Sequence, residues 1–255
     1  MRKQLLTPVH WTSHNGLDIS YVSDFAMSGF ISDIFQTDEH RFVSQTKSPY
    51  VIDAGANTGC VTLYLKQLYP QADILCFEPG FDIFQLLQSN ISRNQLLNVQ
   101  AFNCALGAYD GVTHFYTSKA KHLSGGLGNS IKPVWGIQEH LSQYDTSIKV
   151  PLRRLSSFIN RPVDYLKLDV EGAEHDILTE ISHRLHLVKQ LHVEVHCLGN
   201  QDQVLITTLT DLLERHQFST DVAPYHAMLP DWIKRWTEDT NPSIWNIKAT
   251  NLRYL

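Results

Sequence analysis

Between residue 50 and about residue 220, short apolar runs alternate with longer segments whose apolar positions recur every three or four residues. Strands buried on both faces read as continuous apolar runs, and amphipathic helices between them cover the sheet, so the pattern predicts βαβ units and an α/β fold with a mostly parallel sheet. Tyr50–Asp53, Asp73–Phe77, Val99–Cys104, Tyr165–Leu168 and Leu191–Cys197 are the expected strands. Cys60–Tyr69, with Leu63, Leu65 and Leu68, and Phe81–Asn94, with Phe84, Leu87 and Ile91, carry helical spacing, as do Glu174–Leu185 and Asp202–His216. Thr113–Thr117 alternates and opens an expected excursion of one or two extra strands. Phe218–Val222 and Trp245–Ala249 are expected to close the sheet as an antiparallel pair. Residues 1–49 read as an N-terminal cap on one domain spanning 50–255.

Composition narrows the function classes. Of 255 residues, 43% are hydrophobic and 18% charged, which is globular rather than disordered. A formal charge of -5 is not the electrostatic footprint of a general nucleic-acid binder, so no nucleic-acid partner is expected. No apolar run reaches the roughly 18 residues of a membrane span, and MRKQLLTPVHWT has cations without the apolar core of a secretion signal. Cys60, Cys76, Cys104 and Cys197 are scattered through apolar stretches with no CxxC pair, so a reducing, cytoplasmic setting is expected. The 13 histidines form no HExxH or HxH metal pattern. Nothing in the sequence sets an oligomeric state.

The most informative stretch is VIDAGANTG, residues 51–59, which follows a strand and opens a helix. Gly55 and Gly59 allow a sharp turn and close approach of a ligand, and the N–H groups at the helix start favour an anionic group. GxGxxG is absent and no Lys-Ser/Thr pair follows, so the turn is neither a dinucleotide fingerprint nor a P-loop. Asp53 would repel a pyrophosphate and attract an ammonium or sulfonium. Glu78, at the end of the second strand, falls where a carboxylate accepts from both ribose hydroxyls in doubly wound folds. S-adenosylmethionine, a nucleoside with a cationic amino-acid arm, suits both acids. The plainer reading is a turn capped by Asn57 or Thr58 beside a solvated Glu78.

VIDAGANTG, CFEPG, the run Phe81–Asn94, CALG at 104–107, LKLDVEGAE at 166–174 and VEVH at 193–196 together resemble the FkbM family of S-adenosylmethionine-dependent methyltransferases. The match in order and spacing covers roughly residues 50–197. It implies the class I methyltransferase fold, a Rossmann-like, doubly wound sheet of seven mostly parallel strands with an antiparallel last strand. It also implies methylation of a hydroxyl on a sugar, glycan or secondary metabolite, with a small-molecule or glycan acceptor. Asn57 joins the glycines and Glu78 in the expected cofactor set. Asn103, Cys104 and Ala105 are expected beside the adenine, on position and the family pattern. A non-catalytic nucleoside-binding module and a nicotinamide-dependent oxidoreductase are the alternatives.

Asp169, Glu171 and Gly172 end the fourth strand at the carboxyl edge, where open α/β sheets bind ligands. Asp169 and Glu171 can orient the donor, accept the acceptor's proton or share a cation. Glu174 reads as an ordinary acid in a helix's first turn. Lys167, mid-strand and buried, needs a partner, and Asp53 on the neighbouring strand is the candidate. Glu194 and His196 share one side of the fifth strand; His196 is the first candidate for general base, or else a strand-end histidine bonded to Glu194. The four groups Asp169, Glu171, Glu194 and His196 are compatible with a divalent cation, but no spacing requires one. Ser124–Ser130, glycine-rich, reads as a lid or as a surface loop. Asn241–Ile244 reads as a turn, and Trp232 and Trp236 as core by their helical spacing, or as walls of an acceptor pocket.

Overall fold

The computed structural model describes residues 9–117, 125–133, 146–197, 202–225 and 243–255. Ser124, Trp232, Trp236, Asn241 and Pro242 lie outside the described residues. A hairpin of β1 (His10–His14) and β2 (Leu17–Tyr21) comes first. Its two-residue turn is Asn15-Gly16, both at positive φ, the left-handed pair that matches strand twist. Helix α1 (Asp24–Phe30) starts where the Ser23 hydroxyl accepts the Ala26 N–H, and runs on into a π-helical turn, Ile31–Gln36.

The alternation that follows is β3 (Tyr50–Ala54), α2 (Cys60–Leu68), β4 (Asp73–Phe77), α3 (Phe81–Arg93) and β5 (Val99–Phe102). The strand expected over Val99–Cys104 stops early. Asn103 turns its amide onto the carbonyls of Glu78 and Pro79, and the chain restarts as β6 (Ala105–Leu106) in a second sheet with β7 (Gly111–Thr117) and β8 (Thr146–Arg153). That small sheet is the expected excursion. Next come β9 (Tyr165–Leu168), α4 (Glu174–Glu180), β10 (Gln190–Cys197), α5 (Asp202–Arg215), β11 (Phe218–Pro224) and β12 (Ser243–Asn251). The helix expected over 174–185 ends at Glu180, where a tightened turn passes into a 3-10 segment, Ser182–Leu187.

The main sheet has seven strands in the order β11-β12-β10-β9-β3-β4-β5. The pairs from β10 to β5 are parallel; β12 lies between β10 and β11, antiparallel to both. The fold is therefore the doubly wound, mostly parallel sheet with an antiparallel last strand. Strand order reverses between β3 and β9, which puts the topological switch point beside Gly55 and Asp169. No helix among the described residues is long and apolar enough to cross a membrane. All four cysteines are buried thiols and none forms a disulfide.

Period-two alternation sorts the sheet into two unlike faces. Ile52, Ala54, Leu166, Leu168, Val193 and Val195 enter one apolar cluster with Ile177, Leu178 and Leu209. Val51, Ile74 and Cys76 enter the other, with Leu63 and Leu65 of α2 and with Ile19, Met27, Ile34 and Phe42 from the first 49 residues. On that second face a polar row crosses the central strands, because Asp53 is in register with Lys167, Lys167 with His192 and His192 with Lys248.

Residues 39 and 40 cover part of this row. Asn246 accepts from His192 Nε2 at 2.9 Å and donates to Glu39 at 2.9 Å. A neutral His192 must then accept at Nδ1, from His40 Nδ1 at 3.0 Å. Burial lowers His192 to about 4 and holds His40 well below its ordinary value, so both stay neutral. Burial, reinforced by Glu194, pushes Glu39 up to about 8.

Two predictions follow from this packing. Gly55 has φ +81°, and a Cβ there would stand 1.7 Å from the Asp169 carbonyl oxygen, so Gly55→Ala is expected to destabilise the protein by roughly 1–3 kcal/mol in urea melts. The raised Glu39 carboxyl keeps its proton in the folded chain after the unfolded chain has lost it. Stability should therefore fall between pH 6.5 and 8.5, above the range where His40 and His192 contribute; Glu78 and Glu194, raised to about 7, add to the fall, and Glu39→Gln should lessen it by roughly 1–2 kcal/mol.

Candidate active site

The carboxyl ends of β3, β4, β9 and β10 bring most of the expected residues together. Lys167 ties two of them. Its ammonium donates to the Gly55 carbonyl at 2.7 Å and pairs with Asp169 Oδ2 at 3.0 Å and Asp53 Oδ1 at 3.7 Å. Burial alone would drive its proton off, but Asp169 and Asp53 hold it well on the charged side. The expected pairing with Asp53 is present, and Asp169 is the nearer carboxylate.

Asp53 itself takes a different place from the one its position suggests. Parity along β3 turns it onto the α2 face, where it has no exposed surface and Oδ2 accepts the Thr62 hydroxyl at 2.6 Å. Burial pushes its carboxyl up, opposed by Lys167 and Thr62. Its carboxylate braces Lys167 and α2 from beneath the turn and does not line the open strand tips.

Above it, Gly55, Asn57 and Gly59 all adopt positive φ. Asn57 Oδ1 accepts the adjacent Thr58 N–H at 2.7 Å and its own N–H donates to Glu78 Oε2 at 3.1 Å. The N-cap of helix α2 is Gly59, with no side-chain cap, so neither Asn57 nor Thr58 caps it as the plainer reading expected. Glu78 Oε1 accepts from Gly80 N–H at 2.7 Å. Glu78 is thus a buried clamp between two strand-tip loops, pushed up to about 7 by burial against those two N–H groups. It is not the solvated acid of the plainer reading. Asn103 commits its Nδ2 to the carbonyls of residues 78 and 79, Cys104 and Ala105 are buried, and Asn103 and Cys104 line a cavity with Phe102 and Phe158.

The second half of the site surrounds His196, whose side chain is 1% exposed. Nδ1 meets Glu174 Oε1 at 2.9 Å; Nε2 faces Glu171 Oε2 at 3.2 Å, Glu194 Oε1 at 3.3 Å and Asp169 Oδ1 at 4.0 Å. Burial would lower the imidazole's pKa, but Glu171 and Glu174 raise it well above the ordinary value. The ring is therefore protonated at neutral pH and has no lone pair with which to act as a base. Burial and Asp169 push Glu194 up to about 7, and its side chain is 23% exposed, which gives the site a carboxylate poised to take a proton.

Glu174 is more than a helix-start acid. It accepts the N–H groups of Val170 and Gly172 as well as facing His196. Its only sequence signal is its place in DVEGAE. Glu171, at φ +59°, folds back so that Oε1 accepts the Gly128 N–H at 2.8 Å, and Ser130 Oγ donates to its carbonyl. The described part of the glycine-rich segment is thus docked on the site and not a loose surface loop.

Comparison with known proteins gives the family and the fold. Residues 53–237 match the methyltransferase FkbM domain. Methyltransferase 1 of Beauveria bassiana (strain ARSEF 2860) is 33% identical over 198 residues, covering 72% of this chain and 75% of that protein. The 2-O-methyltransferase NoeI of Sinorhizobium fredii (strain NBRC 101917 / NGR234) is 28% identical over 145 residues, 51% of this chain and 56% of that protein. The crystal structure of a methyltransferase FkbM from Methylobacillus flagellatus KT superposes with a TM-score of 0.53 at 14% identity, over 86% of this chain and 47% of that one, a likeness of fold. The chain belongs to the FkbM family of S-adenosylmethionine-dependent methyltransferases.

Proposed function

We propose that the chain moves the methyl group of S-adenosylmethionine onto a hydroxyl of a small-molecule acceptor, a sugar, glycan or secondary metabolite. The observation that carries this reading is the convergence of Asp169, Glu171 and Glu194 on His196 at the strand tips, next to the turn at Gly55–Gly59. The donor set fits the cofactor. Each Glu78 oxygen takes one backbone N–H and has a second lone pair for a ribose hydroxyl, and the negative charge of the part-exposed Asp169 and Glu194 draws a cationic arm to the strand tips without a bond to either. Bound there, the cofactor supplies an electrophilic methyl carbon.

This chain's residues then act on the acceptor. Glu194 takes the hydroxyl proton as the new O–C bond forms and the C–S bond breaks, the electron pair staying on sulfur. The cationic His196 balances the carboxylates and fixes their directions. Holding oxygen, carbon and sulfur near one line supplies most of the rate, as in other bound two-substrate reactions. An acidic surround favours neutral or amine-bearing polyhydroxyl acceptors and repels phosphodiesters. The name of the Sinorhizobium relative, a 2-O-methyltransferase, supports a hydroxyl acceptor.

Two measurements test this. Transfer of radiolabelled methyl into fractionated small molecules, free glycans and RNA should label a hydroxyl-bearing small molecule or glycan; label confined to RNA would refute the acceptor class. Calorimetric titration of Glu78→Gln with S-adenosylmethionine should show affinity about 10- to 100-fold weaker, the loss of a charge-assisted bond of roughly 1.5–3 kcal/mol. Because Glu78 must be ionised to accept from the ribose and titrates near 7, wild-type affinity should fall as pH drops below 7, while the Gln variant stays flat.

A further inference from the structure

We propose that Asp169, Glu171 and His196 form a binding site for a divalent transition-metal cation, typified by Mn2+, at the acceptor end of the site. One ligand atom from each lies within 4.8 Å of the others. From His196 Nε2, Glu171 Oε2 stands at 3.2 Å and Asp169 Oδ1 at 4.0 Å. Around a six-coordinate ion with bonds of about 2.1 Å, neighbouring ligands are about 3.0 Å apart and opposite ligands about 4.2 Å. The two distances from Nε2 fall within that range.

What sets this cluster apart from a patch of acids is how each ligand is held. His196 gives Nδ1 to Glu174 at 2.9 Å, and Glu174 is itself anchored on the Val170 and Gly172 N–H groups. A carboxylate on the far nitrogen is the arrangement that orients a metal-binding imidazole, and an ion bound at Nε2 would displace the proton that makes His196 cationic in the metal-free protein, so uptake is expected to release a proton. Glu171 has Oε1 on the Gly128 N–H and turns Oε2 inward. Asp169 has Oδ2 on Lys167 and turns Oδ1 inward. In all three, one atom is held by the protein, and the second atoms of Glu171 and Asp169 both face His196 Nε2. Glu194 Oε1 stands 3.3 Å from the same nitrogen. An imidazole with carboxylates suits Mn2+, Fe2+ or Zn2+ better than Ca2+. Asp169 and Glu171 are 27% and 21% exposed, so an ion can reach them.

The role of the ion rests on the proposed hydroxyl acceptor: a cation here would polarise that oxygen and ease loss of its proton to Glu194. Its binding does not depend on that reading. The test is a Mn2+ titration of chelator-stripped full-length protein without cofactor, followed by the loss of the free-ion electron paramagnetic resonance signal. One saturable site per chain is expected, weakened at least tenfold in His196→Gln and about tenfold in Glu174→Gln. No saturable Mn2+ uptake by the wild type would overturn the proposal, as would unchanged affinity in His196→Gln. A parallel titration with S-adenosylmethionine reports folding of each variant. It also separates the two readings, since cofactor binding without Mn2+ binding removes only the metal site.

Discussion

Lys167 is a full positive charge inside a parallel sheet, and its three oxygen partners belong to two different strands. A buried ammonium is tolerable only when it is paired and hydrogen-bonded, so the Gly55 carbonyl, Asp53 and Asp169 must keep their places for the fold to persist. The same demand sets the spacing of the β3 and β9 tips at the point where the strand order reverses. Gly55 answers it from the other side, since only a residue without Cβ fits against the Asp169 carbonyl. Stability and site geometry are here one requirement.

From this anchor the site divides into two electrostatic regimes. On the β4 side, Glu78 is clamped by backbone N–H groups and nearly dry. On the β10 side, carboxylates outnumber cations around His196, and the charge is divided among groups from β9, α4 and β10. Under the proposed function, a donor with a cationic sulfur would lie between Glu78 and this acid-rich end, and the acceptor's proton would pass to the carboxylate of raised pKa there.

Much of this was legible in the sequence. Apolar runs located the strands because both faces of the sheet are covered, and strand parity put Glu194 with His196; for Lys167 the sequence offered Asp53, whereas Asp169 is the nearer partner. Asp53 was misplaced because its strand-end position suggested the open edge, whereas its parity aims it at Thr62 of α2. The early end of β5 depends on Asn103 bonding two carbonyls some 25 residues back, which no local pattern encodes. Glu174 looked ordinary because its partner lies 22 residues on, in another strand. Strand parity places His196 beside Glu194 in the sequence, but its charge state is set by Glu171 and Glu174, which only the fold assembles around it.

The segment 125–130 touches both ends of the chain's logic. Gly128 and Ser130 hold Glu171, while Gly125 lies so close to Ser23 and Ala26 at the start of α1 that a Cβ there would crowd them. The family match begins at residue 53, so α1 lies outside it. A change in the packing of α1 would thereby reach Glu171 through this one short segment, linking a part of the chain outside the family match to the mouth of the site.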